Sequence, residues 1–319
     1  MKTAPPGRYF LITCPGTASH LIRKTLNLEE QPDVALSPFH GGYFFLPGFV
    51  TSGKIGAREQ PMSEWTEEQI AALKKAYQRG LNQFMDYTNS AQACGKIAFV
   101  KEHANMFFGP TTHSKVIILS QPSALTTPSI FVIRHPALMF PSFERNVAKI
   151  LGVFDDDAHD SAAMTRAKIA ERCAAMTFNF TLSMYNYYAD LLSKRPPHNG
   201  VHRPLIIDAD DVMKEPALAT KLASLMNMDA TKTRFARSKT SEEEASKISG
   251  HMKVMLSTLL ESDGIIKYKM SDGIDMDVES KKWCEEFGEE TGKDIEQRVR
   301  DAMPDYEFLK SKRMLPEMK

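Results

Sequence analysis

Tyr9-Phe-Leu-Ile-Thr-Cys14, then Pro15-Gly16-Thr17-Ala18-Ser19-His20, then Leu21-Ile-Arg-Lys-Thr-Leu26 is the stretch that decides the fold. The first six residues are a short apolar run, the pattern of a buried strand. Pro15 and Gly16 break it. Leu21, Ile22, Thr25 and Leu26 then share one face of a helix reaching about Leu28, with Thr17 or Ser19 as its cap. Strand, tight turn and helix form the opening unit of a parallel sheet, where ligands bind beyond the carboxyl ends of the strands. Uncommitted N–H groups and the helix dipole make such a turn an anion site. Pro15, Gly16, Thr17, Ala18, Ser19 and His20 are therefore candidate cofactor-binding residues; a plain capped turn is the alternative. The pattern GxxxxGK[ST] is absent, which argues against an ATPase or GTPase.

Working outward, Lys96–Val100, Ser129–Ile133 and Pro204–Ile207 read as further buried strands. Helices are expected from Ser63 to about Tyr87, Ser161 to Ser193, Ala217 to Met226, Glu242 to about Leu260, and Thr291 to Ala302, the last stopped by Pro304. Residues 29–60 and 264–280 read as loops, and 109–129 as irregular. Short buried strands alternating with helices predict an α/β fold: a mostly parallel central sheet flanked by helices in a three-layer sandwich. The expectation is one domain over 1–319, without internal repeats.

Bulk properties narrow the function. Lys+Arg and Asp+Glu are both 40, so no basic excess points to nucleic acid. The four cysteines, Cys14, Cys94, Cys173 and Cys284, are scattered without metal-ligand spacing. This predicts a reducing, cytoplasmic setting and no metal. No signal peptide or membrane-spanning run is evident. Cys14 near a helix N-terminus is a candidate nucleophile, although its buried strand favours a plain core thiol.

Two further constellations carry chemistry. Lys101-Glu102-His103 directly follows the strand KIAFV. An extended chain turns Lys101 and His103 the same way. A His can take a proton from a nucleophile, and a Lys beside it can stabilise a leaving phosphate. Arg134 lies past another strand end, with Ser142 eight residues on; Arg offers phosphate a planar fork of donors. The alternatives are a surface Lys with a structural His, and Arg134 paired with a nearby acid such as Glu144.

In this order, the pieces resemble the sulfotransferase family: a strand-loop-helix for a 5′-phosphosulfate, Lys101-x-His103, and Arg134 with Ser142 for a 3′-phosphate. The acidic Asp208 to Pro216 turn and Trp283 with Phe287 are similar to later family motifs. GGYFFLPGF (41–49), KEHA (101–104), IRHPALMFPSF (133–143), MLSTLL (255–260) and AMPDYEFLK (302–310) resemble a fungal sulfotransferase-like subgroup. The resemblance implies sulfuryl transfer from 3′-phosphoadenosine 5′-phosphosulfate to a small hydroxyl or amine acceptor in fungal secondary metabolism. It implies His103 as base, with Lys101 and Glu102 beside it, and His40, Tyr43, Phe44 and Phe45 around the acceptor. Two cations of the family pattern are replaced, one by Gly16 and one by Cys284. That leaves open a different transferase on this scaffold, such as an aminoacyl-tRNA-dependent arginine-containing cyclodipeptide synthase, or a binding protein without catalysis.

Overall fold

The computed structural model describes residues 7–39, 42–57, 62–107, 129–153, 172, 174–194, 203–235 and 270–315. Its centre is a five-stranded sheet built from β1 (Arg8–Thr13), β2 (Val34–Ala35), β3 (Ile97–His103), β4 (Ser129–Ile133) and β5 (Leu205–Asp208). The order is β2-β3-β1-β4-β5, and every pairing is parallel. The helices are α1 (Ser19–Leu26), α2 (Leu46–Lys54), α3 (Glu67–Ala93), α4 (Pro136–Val153), α5 (Asn179–Ser193), α6 (Ala209–Lys214), α7 (Ala217–Leu225), α8 (Met276–Phe287) and α9 (Glu289–Ser311).

The apolar runs are explained by burial on both faces of the sheet. Phe10, Ile12 and Phe131 enter one cluster with Phe84, Tyr188 and Tyr306. Tyr9, Leu11 and Val132 enter a second with Ile22, Leu26 and Leu222. Buried strands sandwiched in this way read as continuous hydrophobic runs rather than alternation. β1 is central, paired with β3 on one side and β4 on the other. The crevice beyond its carboxyl end is thus flanked by the ends of both neighbours, the usual ligand position of open α/β sheets.

Several boundaries differ from the sequence expectation. β3 runs through Lys101 and His103, because Leu11 to Thr13 pair with Lys101 to His103 and Gly42 bridges Lys101 on the other side. Backbone pairing extends this strand where hydropathy ends. The expected loop over 29–60 contains β2 and α2. α3 starts after Thr66, whose side chain accepts from the Gln69 amide in a capping box, so Ser63 is not its first residue. The loop expected at 264–280 gives way to α8 at Met276, capped by Asp275. α9 continues through Pro304. Proline removes one helical hydrogen bond, and burial of Tyr306 and Leu309 beyond it carries the helix on. The helix expected from Ser161 is interrupted before Asn179. Its first part, the helix at 242–260, the stretch 109–128, His40 and Cys173 lie outside the described residues.

Candidate active site

The loop after β1 is shaped by two left-handed residues, Gly16 (φ 84) and Ala18 (φ 55). Neither Thr17 nor Ser19 caps α1. The N-cap is Ala18, with no side-chain hydrogen bond, because the Thr17 hydroxyl turns inward and donates to the Cys14 carbonyl at 2.8 Å. No acidic residue stands in the first turn of α1. Left-handed turns that gather backbone amides at an uncapped helix start suit an anion. A Cβ at Gly16 would lie 2.7 Å from the Met139 carbonyl oxygen. The close approach of α4 therefore leaves no room for a side chain here, and no cation can project from this position.

Beside the loop, the carboxyl end of β3 presents Lys101 and His103 on the α1 side of the sheet, and Glu102 on the other. Lys101 Nζ contacts His20 Nε2 at 3.0 Å and donates to the Tyr43 hydroxyl. Its ammonium also lies 4.6 Å from the centre of the Tyr43 ring. Tyr43 Oη is 3.3 Å from His103 Nε2. Thr13 Oγ1 is 2.7 Å from His103 Nδ1 and donates to the Glu102 carbonyl at 3.2 Å.

These contacts define a directed chain. A threonine hydroxyl has one proton. With that proton on the Glu102 carbonyl, His103 Nδ1 must donate to Thr13, and Nε2 carries the lone pair. Because Tyr43 accepts from Lys101, its own proton is available to Nε2. Burial first, then the Lys101 charge, hold His103 well below the ordinary imidazole range. A neutral ring with its lone pair facing the crevice is the form a proton acceptor needs. Burial, reinforced by the charge of Arg23, also depresses Lys101 well below the usual lysine range.

Glu102 is turned away from this chain. Its carboxyl accepts from the Phe44 amide and holds the turn at 43–45. Burial raises it to about 8, against partial compensation from the amides of Phe44, Phe45 and Tyr43 and from Lys101. The folded state therefore binds this proton more tightly than the unfolded chain. Its contribution to stability is full below the normal glutamate range and is lost as pH rises through about 8. Thermal melts of Glu102→Gln should show a smaller fall in stability between pH 5 and pH 9 than wild type, by on the order of a few kcal/mol. Equal pH dependence of the two proteins would refute that role.

The other expected residues are distributed as follows. Arg134 is buried at the end of β4 and donates to the Gly16 carbonyl at 3.1 Å, so it braces the loop from the opposite side. Glu144 is held by both nitrogens of the Arg172 fork, while the charges of Asp210 and Asp208 act on Arg134. Ser142 is half-buried on α4. Phe44 and Phe45 are in the core at 1% and 0% exposure, packed against Phe84, Tyr87 and Phe107. They support the turn from below and cannot line an open pocket. Tyr43 alone of that trio faces the crevice. Asp208 caps α6 and accepts from Tyr306 at 2.8 Å; burial raises it to about 6. Trp283 is core at 1% exposure. Cys14 is buried 3.0 Å from the Thr181 hydroxyl, and burial pushes its thiol up to about 11, the opposite of an activated nucleophile. Sequence reading did not select Thr13 or Arg23. The i, i+3 spacing of His20 and Arg23 on α1 was the available signal for the second.

An uncapped loop-helix turn and a buried Lys-x-His thus lie together at the carboxyl end of a parallel sheet. No family model matches the chain. It is 34% identical over 98% of its length to "Sulfotransferase ppzF" of Metarhizium majus (strain ARSEF 297), covering 98% of that protein. It is 33% identical over 97% of its length to the protein of the same name from Metarhizium rileyi (strain RCEF 4871), covering 96% of it. The chain belongs to the sulfotransferase family, and it is a transferase. The solved sulfotransferase domain of the Synechococcus PCC 7002 olefin synthase is similar over 86% of this chain and 90% of that one, at 14% identity and a TM-score of 0.44. Among the described residues, no helix is long and apolar enough to cross a membrane, and no cluster of three or more His, Cys, Asp or Glu is placed to hold a metal.

Proposed function

We propose that this protein transfers a sulfuryl group to the hydroxyl or amine of a small acceptor in fungal secondary metabolism, with His103 as general base, acting as a single domain in the cytoplasm. The observation that carries this reading is the directed chain Lys101–Tyr43–His103–Thr13, which leaves a neutral imidazole with its lone pair toward the crevice. Bound at the loop, 3′-phosphoadenosine 5′-phosphosulfate would supply the sulfuryl group and depart as 3′-phosphoadenosine 5′-phosphate. The residues present fit such an anion: left-handed loop amides, and an uncapped helix with no acidic residue in its first turn.

His103 Nε2 takes the proton of the acceptor as its oxygen or nitrogen bonds to sulfur. Lys101 faces the charge that develops on the leaving phosphate, and the amides of residues 16–19 hold the same end. Arg134 and Ser142 are assigned to the 3′-phosphate. Tyr43 occupies the approach to His103, so the acceptor hydroxyl replaces the Tyr43 hydroxyl at Nε2 or stands beside it.

Calorimetric titration with 3′-phosphoadenosine 5′-phosphate tests the nucleotide site. Micromolar binding that weakens about 10- to 100-fold in Arg134→Ala is the expected result, the loss typical of charge-assisted hydrogen bonds. Absence of binding at millimolar nucleotide would end the sulfuryl-transfer reading and direct the search to other donors, aminoacyl-tRNA first.

A further inference from the structure

We infer that Arg23 is an anion-binding residue of this crevice, forming with Lys101 and the Tyr43 hydroxyl a seat for one tetrahedral oxyanion of a sulfated or phosphorylated ligand. The natural ligand named for it rests on the nucleotide reading above; the seat itself does not.

Arg23 follows His20 by three residues on α1, so the two share a face of that helix. His20 reaches Lys101 at 3.0 Å, which fixes the direction of that face toward the end of β3. The charge of Arg23 acts on both Lys101 and Tyr43, so its guanidinium stands within electrostatic reach of the same point. Arg23 Nε is buried and has no hydrogen-bond partner. Among the described residues no ion pair holds Arg23. Among the described residues the carboxylate whose charge favours it is Glu29, and Glu29 is solvent-exposed. Glu102, on the opposite face of β3, turns its carboxyl to the Phe44 amide.

A buried guanidinium nitrogen without an acceptor is costly. Two cations brought together out of water are costlier, and burial depresses both Arg23 and Lys101. Such an arrangement persists where a ligand supplies the missing negative charge. A tetrahedral oxyanion supplies several acceptors in different directions, enough for the Arg23 fork, the Lys101 ammonium and the Tyr43 hydroxyl together. The geometry also accounts for the absence of a cation in the loop. Position 16 is closed to any side chain by Met139, and α1 delivers the charge one to two turns further along.

The test compares wild type, Arg23→Met and Arg23→Lys. Each is titrated by calorimetry and by thermal shift with inorganic sulfate, against chloride at equal ionic strength, and with 3′-phosphoadenosine 5′-phosphate. The expected result is a loss of about tenfold or more in affinity for both anions in Arg23→Met, with most of it recovered in Arg23→Lys. The ligand-free melting temperature of Arg23→Met should not fall, since the substitution removes an unsatisfied buried charge. Wild-type affinity for both anions in Arg23→Met overturns the inference, as does a wild type that binds neither. Wild type that binds sulfate but not the nucleotide, with the sulfate lost in Arg23→Met, keeps the seat and removes the nucleotide reading. Nucleotide binding unchanged by Arg23→Met does the reverse.

Discussion

Replacing His103 by Asn should lower turnover by ~10²–10⁴-fold, the range contributed by a positioned general base, while leaving affinity for 3′-phosphoadenosine 5′-phosphate within about threefold of wild type. Asn retains a polar group that can bond Thr13, so the Thr13 contact at the end of β1 is preserved. What it lacks is a nitrogen lone pair that can hold the acceptor proton. The readout is nucleotide release from 3′-phosphoadenosine 5′-phosphosulfate in the presence of small phenols and primary amines. The wild-type pH profile adds a second mark. Because burial depresses His103 below the usual imidazole range, the ring stays neutral in mildly acidic buffer. The acid limb of kcat/KM should therefore fall below ~6.5, the unperturbed imidazole value. Activity within tenfold of wild type in the mutant would place the base elsewhere.

The sheet was readable because its strands are buried on both faces, so YFLITC, SIFVI and the LII of β5 carry the signal in composition alone. The end of β3 was not readable in that way. Lys101, Glu102 and His103 are polar, and they are strand because β1 and Gly42 pair with their backbone. That difference matters for the site, since strand geometry is what separates Glu102 from its two neighbours. The Lys-x-His spacing indicated a shared face correctly. It could not show that Glu102 serves the turn at 43–45, which is 58 residues away from its Phe44 contact. Phe44 and Phe45 misled for a related reason. An aromatic stripe has the same composition whether it lines a pocket or fills a core, and contact with α3 settles it for the core. Thr17 and Ser19 are good caps by residue type, but the left-handed backbone at Gly16 and Ala18 directs the Thr17 hydroxyl inward. Arg23 offered only its i, i+3 spacing from His20 among the ordinary charges of an amphipathic helix. The burial of its Nε is what sets it apart in the structure.

Gly42→Ala should be the most damaging single-methyl change at this site. Gly42 has φ +133, and an added Cβ would overlap the Lys101 carbonyl oxygen and lie 2.7 Å from the Lys101 nitrogen. Both are backbone atoms of a strand pinned by β1, so neither can swing aside as a side chain would. The following residue, Tyr43, is itself left-handed at φ 63, and its amide donates to the Lys101 carbonyl at 3.0 Å. Relief of the clash has to move the 42–43 segment off β3, and with it the hydroxyl that links Lys101 to His103. Backbone strain of this kind typically costs ~1–3 kcal/mol, which for a chain of this size is a fall of roughly 2–5 °C in Tm. Turnover should fall by at least about tenfold in addition, because a displacement near 1 Å of the site geometry carries a penalty of up to ~10²-fold. Gly56→Ala is the matched control. Gly56 also has positive φ, at +69, but nothing lies within 4 Å of the Cβ it would acquire. It should show only the cost of left-handed backbone, about 1 kcal/mol, with turnover unchanged. Equal melting temperatures and equal turnover for the two variants would show that the contact between Gly42 and Lys101 does not hold Tyr43 in place.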